Sequence, residues 1–189
     1  MKPTMISLKQ DLFRLPCVIA HVPEWQDVKR DFLSLVNWQD PECQLDHCYS
    51  DYFRYFAQGE QPPYHMDLME ILQGPLDFFA DDNPGATVMS SWCQRYGANQ
   101  MHPVHTHGVI GYSAVFYAQL GQAHKPTCFF APFPDPWTGF IDETIPKCEE
   151  GDIIFFPSQV MHQSLPHAAA DDRIIFSFNI MQSPETLYV

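Results

Sequence analysis

From Thr87 onward the chain is written in short apolar runs, each closed by Gly, Pro or Asp, and that punctuation admits few folds. Runs of four to eight apolar residues between turn signals read as buried strands, and a series of them builds an antiparallel barrel or sandwich. Eight are expected, over residues 87–96, 101–107, 112–120, 127–131, 138–147, 152–156, 160–165 and 173–181. Pro132, Pro134, Pro136 and Pro146 crowd into one section, where they suit edges and loops rather than central strands. The first third is mixed. A strand over 15–21 breaks at Pro23, after which Trp25, Val28, Phe32 and Leu35 recur at helical spacing and predict an amphipathic helix to about Asn37. A second helical stretch, about 65–80, sets Leu68, Ile71 and Leu72 on one face and carries Gly74-Pro75 as a break or kink. Both helices need a sheet to bury against. The expected architecture is mainly β with flanking N-terminal helices, a double-stranded β-helix of the jelly-roll or cupin-like kind. One domain is expected over 1–189, with helical support over about 1–85 and the β-helix core over about 86–182.

A formal charge of −13 argues against nucleic acid or an anionic membrane as partner, because like charge repels along any line of approach. A neutral or cationic substrate suits the chain better. No apolar stretch reaches the roughly 18 residues of a membrane span, and the first ten residues lack the charged-then-apolar order of a signal peptide, so a cytoplasmic location is expected. Cys17, Cys43, Cys48, Cys93, Cys128 and Cys148 are scattered, and reduced, buried thiols are the expected state. Cys43 and Cys48 bracket Asp46 and His47. That arrangement invites a zinc site, but no second ligand pair follows at finger-like spacing, and two half-buried thiols in a loop explain it as well.

The chemistry concentrates in His105 and His107, in His162 after the run Gly151-Asp-Ile-Ile-Phe-Phe-Pro157, and in Arg173 eleven residues later. On a strand, residues i and i+2 look the same way about 6.6 Å apart, so two imidazoles can meet one metal ion. A third imidazole from a neighbouring strand completes a three-ligand face with the opposite positions open, the layout of non-haem iron oxygenases. Arg173 shares a strand face with Ile175, Ser177 and Asn179, and an arginine fork holds a carboxylate bidentately while keeping its charge. The duller reading is that Arg173 pairs with Asp171 or Asp172. His102 and His167 are expected in loops around the site, and His21, His47, His65 and His124 in structural or exposed places. Trp92, Val115, Phe116 and Phe176 are the expected apolar walls.

The stretch Ser91-Trp92, Tyr96-Gly97, His105-Thr-His107 and Tyr112-Ser-Ala-Val-Phe-Tyr117 resembles the Fe(II)/2-oxoglutarate oxygenases related to prolyl hydroxylases. So does Gly151–Pro157 with His162 and Arg173-Ile-Ile-Phe-Ser-Phe-Asn179, and the resemblance covers about half the chain. It implies Fe(II), 2-oxoglutarate and O2 as cofactors, with His105 and His162 as iron ligands and Arg173 as the 2-oxoglutarate clamp. Two positions depart from the wider superfamily pattern. Where a carboxylate usually stands two residues after the first histidine, this chain has His107, which leaves the site one unit more positive; the His-x-His form resembles a subfamily that has it there. Where a serine often follows the arginine by two, it has Ile175, so Ser177, Tyr117 or Tyr112 must supply any further hydrogen bond, with Asn179 on the same face. The implied reaction is oxidation, above all hydroxylation, of an amino-acid, peptide or protein substrate.

Two rivals remain from the residues. A three-histidine cupin-type iron dioxygenase or isomerase would dispense with 2-oxoglutarate, but such proteins add a glutamate three or four residues beyond His-x-His, where this chain has Gly111 and Tyr112. A non-catalytic jelly-roll binding module is the other. The loops over 122–125 and 132–140 are expected to shape the substrate side.

Overall fold

The computed structural model describes residues 15–182, and its strands form two antiparallel sheets. In chain order they are β1 Val18–His21, β2 Tyr49–Ser50, β3 Ala86–Tyr96, β4 His102–His105, β5 Tyr112–Gln119, β6 Cys128–Phe130, β7 Glu143–Thr144, β8 Asp152–Pro157, β9 His162–Ser164 and β10 Arg173–Gln182. Helices α1 Trp25–Leu33, α2 His65–Ile71 and α3 Gln73–Asp82 precede the main run of strands. The larger sheet has the order β1-β8-β5-β10-β3-β2 and the smaller one β4-β9-β6-β7. This is the double-stranded β-helix, mainly β with helices on one flank.

Strand alternation sorts the larger sheet into two cores. Ala114, Phe116 and Ala118 of β5, Ile153 and Phe155 of β8, and Phe176 and Phe178 of β10 join the helices in one core. Their neighbours Val115, Tyr117, Ile154, Phe156 and Ile175 join Tyr96 and Phe129 in the other, between the sheets. Both faces are covered, which is why these strands read as continuous apolar runs. On the helix side, Trp25 meets Phe116 edge-on with ring centroids 4.8 Å apart, and Phe79 stacks on Phe155 at 4.4 Å. The Trp25 indole also donates to the Ala118 carbonyl at 3.0 Å, so its one polar atom is satisfied. Burying a ring of that size stabilises the fold by roughly 3 kcal/mol.

Several boundaries depart from expectation for local reasons. The helix from Trp25 stops at Leu33 rather than near Asn37, because Leu35 and Val36 donate to carbonyls three residues back and tighten the final turn. The stretch expected over 65–80 is two helices, and Pro75 stands in the first turn of α3, where its missing N–H is no loss. The strand expected over 138–147 shrinks to Glu143–Thr144. There the Asp135 carboxylate accepts from the backbone N–H groups of Trp137 and Thr138, and Gly139 donates to the Asp135 carbonyl, which curls the segment into a turn. The first third also adds strands to the sheet, since β1 pairs with β8 and β2 with β3.

Asp51 ties that first third to the barrel. One carboxylate oxygen accepts from the Cys93 backbone N–H at 2.7 Å and the other from the Tyr64 hydroxyl at 2.7 Å. Burial outweighs these donors and raises the Asp51 pKa to about 6. The folded state therefore holds more protons here than the unfolded chain between about pH 4 and 6, and this group's contribution to stability falls as pH rises through that window. Asp51→Ala strands two buried donors and is expected to cost on the order of 3 kcal/mol in urea unfolding, whereas in Asp51→Asn the amide oxygen still accepts from the Cys93 N–H and the amide NH2 donates to the Tyr64 hydroxyl oxygen, which keeps the change within about 1 kcal/mol.

Candidate metal centre

His105 and His162 are direct cross-strand partners in the β4–β9 ladder, which brings their side chains together from positions 57 residues apart in sequence. His107 reaches the same point differently from the i, i+2 strand geometry expected. It lies beyond the end of β4, where its backbone N–H donates to the Ser158 carbonyl at 2.9 Å and its ring leans on Asn179. The three ring centroids are 5.2 Å (His105 to His107), 4.3 Å (His105 to His162) and 5.1 Å (His107 to His162) apart. One nitrogen from each ring falls within 4.8 Å of the other two, so the trio could hold a metal ion.

The hydrogen bonds decide which nitrogen faces inward. His105 Nδ1 lies 2.8 Å from the Pro103 carbonyl and His162 Nδ1 2.9 Å from the Val160 carbonyl. A carbonyl can only accept, so both Nδ1 atoms carry the proton and both Nε2 atoms present lone pairs. His107 Nδ1 donates in the same way to the Asn179 side-chain oxygen at 3.1 Å, while the Asn179 amide donates to Ser90. Two of the resulting lone pairs, on His105 and His107 Nε2, face each other at 3.3 Å. They repel, and a cation between them removes the repulsion. Burial, reinforced by the neighbouring rings, lowers the pKa of His107 to about 4 and of His162 to about 3, and burial lowers that of His105 as well. All three imidazoles are therefore neutral at physiological pH, the state in which they ligate metals.

Arg173, at the start of β10, is 1% exposed and lies with its guanidinium carbon 4.7 Å from the centre of the Tyr96 ring. Nη1 donates to the Lys125 carbonyl at 2.8 Å, whereas Nε and Nη2 are buried without a partner. The acidic neighbours are spoken for: Asp172 pairs with Arg95 at 3.5 Å and Asp171 stands 3.9 Å from His124. No ion pair of Arg173 occurs among the described residues. A buried cation with two idle donors is costly, and a carboxylate brought to it would satisfy charge and donors together. Burial lowers the pKa of Arg173, but a guanidinium starts so high that it keeps its charge.

Other expected site residues divide between the two faces of the sheet. Ser177 faces inward and donates to the Gln94 side-chain oxygen at 3.3 Å. Tyr117 also faces inward, its hydroxyl donating to the Thr127 hydroxyl and accepting from the Thr127 backbone, both at 3.0 Å. Tyr112 does not: it packs against Phe79 on the helix side, ring centroids 5.1 Å apart. Phe116 and Phe176 are likewise in the helix-covered core and not pocket walls, because each alternates with an inward neighbour, Val115 and Ser177. Trp92 does line a cavity of about 530 Å³ that opens on His105 and His107. Its walls also include Tyr52, Phe53 and Phe56 of the first third, whose approach no local pattern reveals, and His47 and His102. Gln94 and Tyr96 share the inward face of β3 with Trp92, and period-two reading from Trp92 would have found both. Among the described residues, no Asp, Glu, Lys or Arg lines that cavity. His21, His65, His124 and His167 are held in structural hydrogen bonds, to Asp152, Ser91, the Asp171 carbonyl and the Tyr96 carbonyl.

A double-stranded β-helix with three convergent imidazoles and a buried arginine suits a non-haem metal oxygenase that uses an acid cosubstrate. Residues 90–179, just under half of the chain, match the sequence model of the family described as "Putative 2OG-Fe(II) oxygenase", and the match marks an enzyme similar to that family. Comparison with curated protein sequences finds no match. Among solved structures, the 2-oxoglutarate complex of a viral collagen prolyl hydroxylase from Paramecium Bursaria Chlorella virus-1 superposes with TM-score 0.57 at 15% identity over 88% of this chain and 96% of that one. HygX from Streptomyces hygroscopicus, with nickel, 2-oxoglutarate and hygromycin B bound, gives TM-score 0.58 at 13% identity over 89% and 83%. For an oxidoreductase of the 2OG-Fe(II) oxygenase family from Burkholderia pseudomallei the values are 0.50 and 16% over 66% of this chain, which spans 62% of that one. At such identities these likenesses speak to the fold. Fe(II) and 2-oxoglutarate are the cofactors of the family, and the residues present suit both: converging lone pairs for the ion, idle guanidinium donors for the acid.

Proposed function

We propose that this chain is an Fe(II)/2-oxoglutarate-dependent dioxygenase that hydroxylates an amino-acid, peptide or protein side chain. The observation that carries the reading is Arg173, a desolvated cation with two unpartnered donors in the same inter-sheet interior as three neutral imidazoles. His105, His107 and His162 would hold the metal through Nε2, and the carbonyls of Pro103 and Val160 and the side chain of Asn179 fix the three rings by their Nδ1 protons. Arg173 neutralises the distal carboxylate of 2-oxoglutarate, with Tyr96 beneath its plane. The bound metal, 2-oxoglutarate and O2 supply the oxidising power, the acid leaving as succinate and carbon dioxide.

What the chain's own residues add is placement and dryness. Tyr52, Phe53, Phe56 and Trp92 exclude water from the substrate side and offer ring faces to an apolar or aliphatic side chain. Gln94 and Ser50, with Thr106, are polar groups there that can orient a substrate amide. Among the described residues the cavity lining carries no formally charged side chain, which favours a neutral reacting group, whatever charge the rest of the substrate carries.

Anaerobic protein loaded with Fe(II) tests the proposal. 2-Oxoglutarate should raise its melting temperature, and admission of air should yield succinate. Neither effect would remove the reading. A shift with Fe(II) alone and no response to 2-oxoglutarate would instead support a three-histidine iron enzyme of cupin type, which the neutral ligand set favours.

A further inference from the structure

Beside the triad lies a second cluster of donors that the oxygenase reading does not use. His47 and Cys48 precede β2 and His102 opens β4, yet one nitrogen from each ring and the Cys48 sulfur lie within 4.8 Å of one another. We propose that His47, Cys48 and His102 form a distinct binding site for a soft divalent cation, Zn(II) above all, in the wall of the same cavity.

The donor chemistry separates the two sites. The triad offers three imidazoles, whereas this cluster offers a thiolate and two imidazoles, and sulfur selects zinc over hard or intermediate ions. Tetrahedral zinc with bonds of about 2.0–2.3 Å spaces its donors by roughly 3.3–3.7 Å, so small rotamer changes bring these three into range. Their anchoring makes such changes plausible in one direction only. Cys48 is 1% exposed and packed with Tyr96 and Val115, so its sulfur is the fixed point. The His47 and His102 rings stand 5.6 Å apart and line the cavity, His102 half-buried. His102 has only a long 3.5 Å contact with the Gln94 amide, unlike the triad rings with their bonds of 2.8 to 3.1 Å. It can turn to a metal without breaking a strong bond. On binding, the Cys48 thiol gives its proton to solvent and the sulfur takes the metal in its place.

Three protein ligands leave a fourth tetrahedral position, and since two of the three line the cavity, that position opens toward it. The cluster also touches the triad, since the His102 and His105 rings are 4.3 Å apart. A cation at the second site therefore shares the chamber with the first.

Cobalt(II) added to the metal-free full-length protein under anaerobic conditions tests this, because a thiolate on cobalt gives a charge-transfer absorption that imidazoles cannot. The expected result is two cobalt ions per chain with that band present, and its loss on adding Zn(II). Cys48→Ser should abolish the band and retain one cobalt at the triad, which also shows that the variant folds. His47→Gln should weaken binding of the band-forming ion at least about tenfold. His162→Ala should keep the band while losing the other cobalt. Absence of the band in the parent protein would overturn the proposal, as would its survival in Cys48→Ser. Its loss in His162→Ala would do so too, by assigning the sulfur to the triad's ion. None of these readouts needs 2-oxoglutarate or turnover, so they stand or fall separately from the oxygenase reading.

Discussion

His162→Ala is expected to lower the affinity for Fe(II), or Mn(II) as its surrogate, by at least about 100-fold and to abolish succinate formation. The loss follows from the donor count. The three imidazoles are neutral, so no carboxylate remains to attract the ion once one of them is gone, and loss of a mere supporting partner already costs 10- to 100-fold. Metal titration with His162→Gln beside His162→Ala separates ligand loss from cavity formation, since glutamine fills most of the space. The parent protein should also show an unusual pH response. Metal affinity is expected to begin falling below the usual 6.5 of imidazole, because burial lowers the pKa of all three ligands, and to fall further as pH passes about 4, where His107 takes up its proton. In the metal-free chain the unfolded state takes up these protons first, from about pH 6.5 downward, while the folded state resists to about 4 at His107 and about 3 at His162. More protons on the unfolded side means that the contribution of this cluster to stability falls as pH drops through that window.

Arg173→Met should raise the KM for 2-oxoglutarate by about 100-fold or more and leave Mn(II) affinity unchanged. Truncating one partner of a buried, hydrogen-bonded charge pair costs roughly 3–5 kcal/mol, which is the scale of that loss. Arg173→Lys should fall between, because an ammonium is a point charge without the planar fork. Stability gives the sharper contrast. In the protein without 2-oxoglutarate, Arg173 is a desolvated cation with two idle donors, so methionine of similar length removes a liability along with the Lys125 hydrogen bond and the Tyr96 stacking. The melting temperature of Arg173→Met is expected to stay within a few degrees of the parent without 2-oxoglutarate, and to lose the increase that 2-oxoglutarate gives the parent. A collapse of the metal-free variant would show instead that the arginine is a structural keystone.

The strands from Thr87 onward were legible because burial on both faces writes them as unbroken apolar runs between turn residues. β7 was overread, since the letters over 138–147 do not reveal that the Asp135 carboxylate takes up two backbone donors and turns the chain. β2 was missed because two residues leave no periodicity. Among site residues, His105, His107, His162 and Arg173 stood out by type and spacing, and the structure does bring the three rings together. Tyr112, Phe116 and Phe176 were drawn to the site by their place in apolar strands that hide which face is which. Here β5 and β10 are apolar on both sides, and only the position of the helices tells inward from outward. Tyr52, Phe53 and Phe56 reach the cavity through tertiary packing alone. Cys48 was visible, but the donors gathered around it are His47 and His102, whereas Cys43 lies in the helix-side core.

The way the triad is pinned has a mechanical consequence. His105 and His162 belong to the smaller sheet, whereas His107 is steadied by Asn179 on the larger one. A cation gripped by all three acts as a clasp between the two walls of the barrel at its open end, so demetallation should leave that rim free to gape while the aromatic layers on the helix side stay shut.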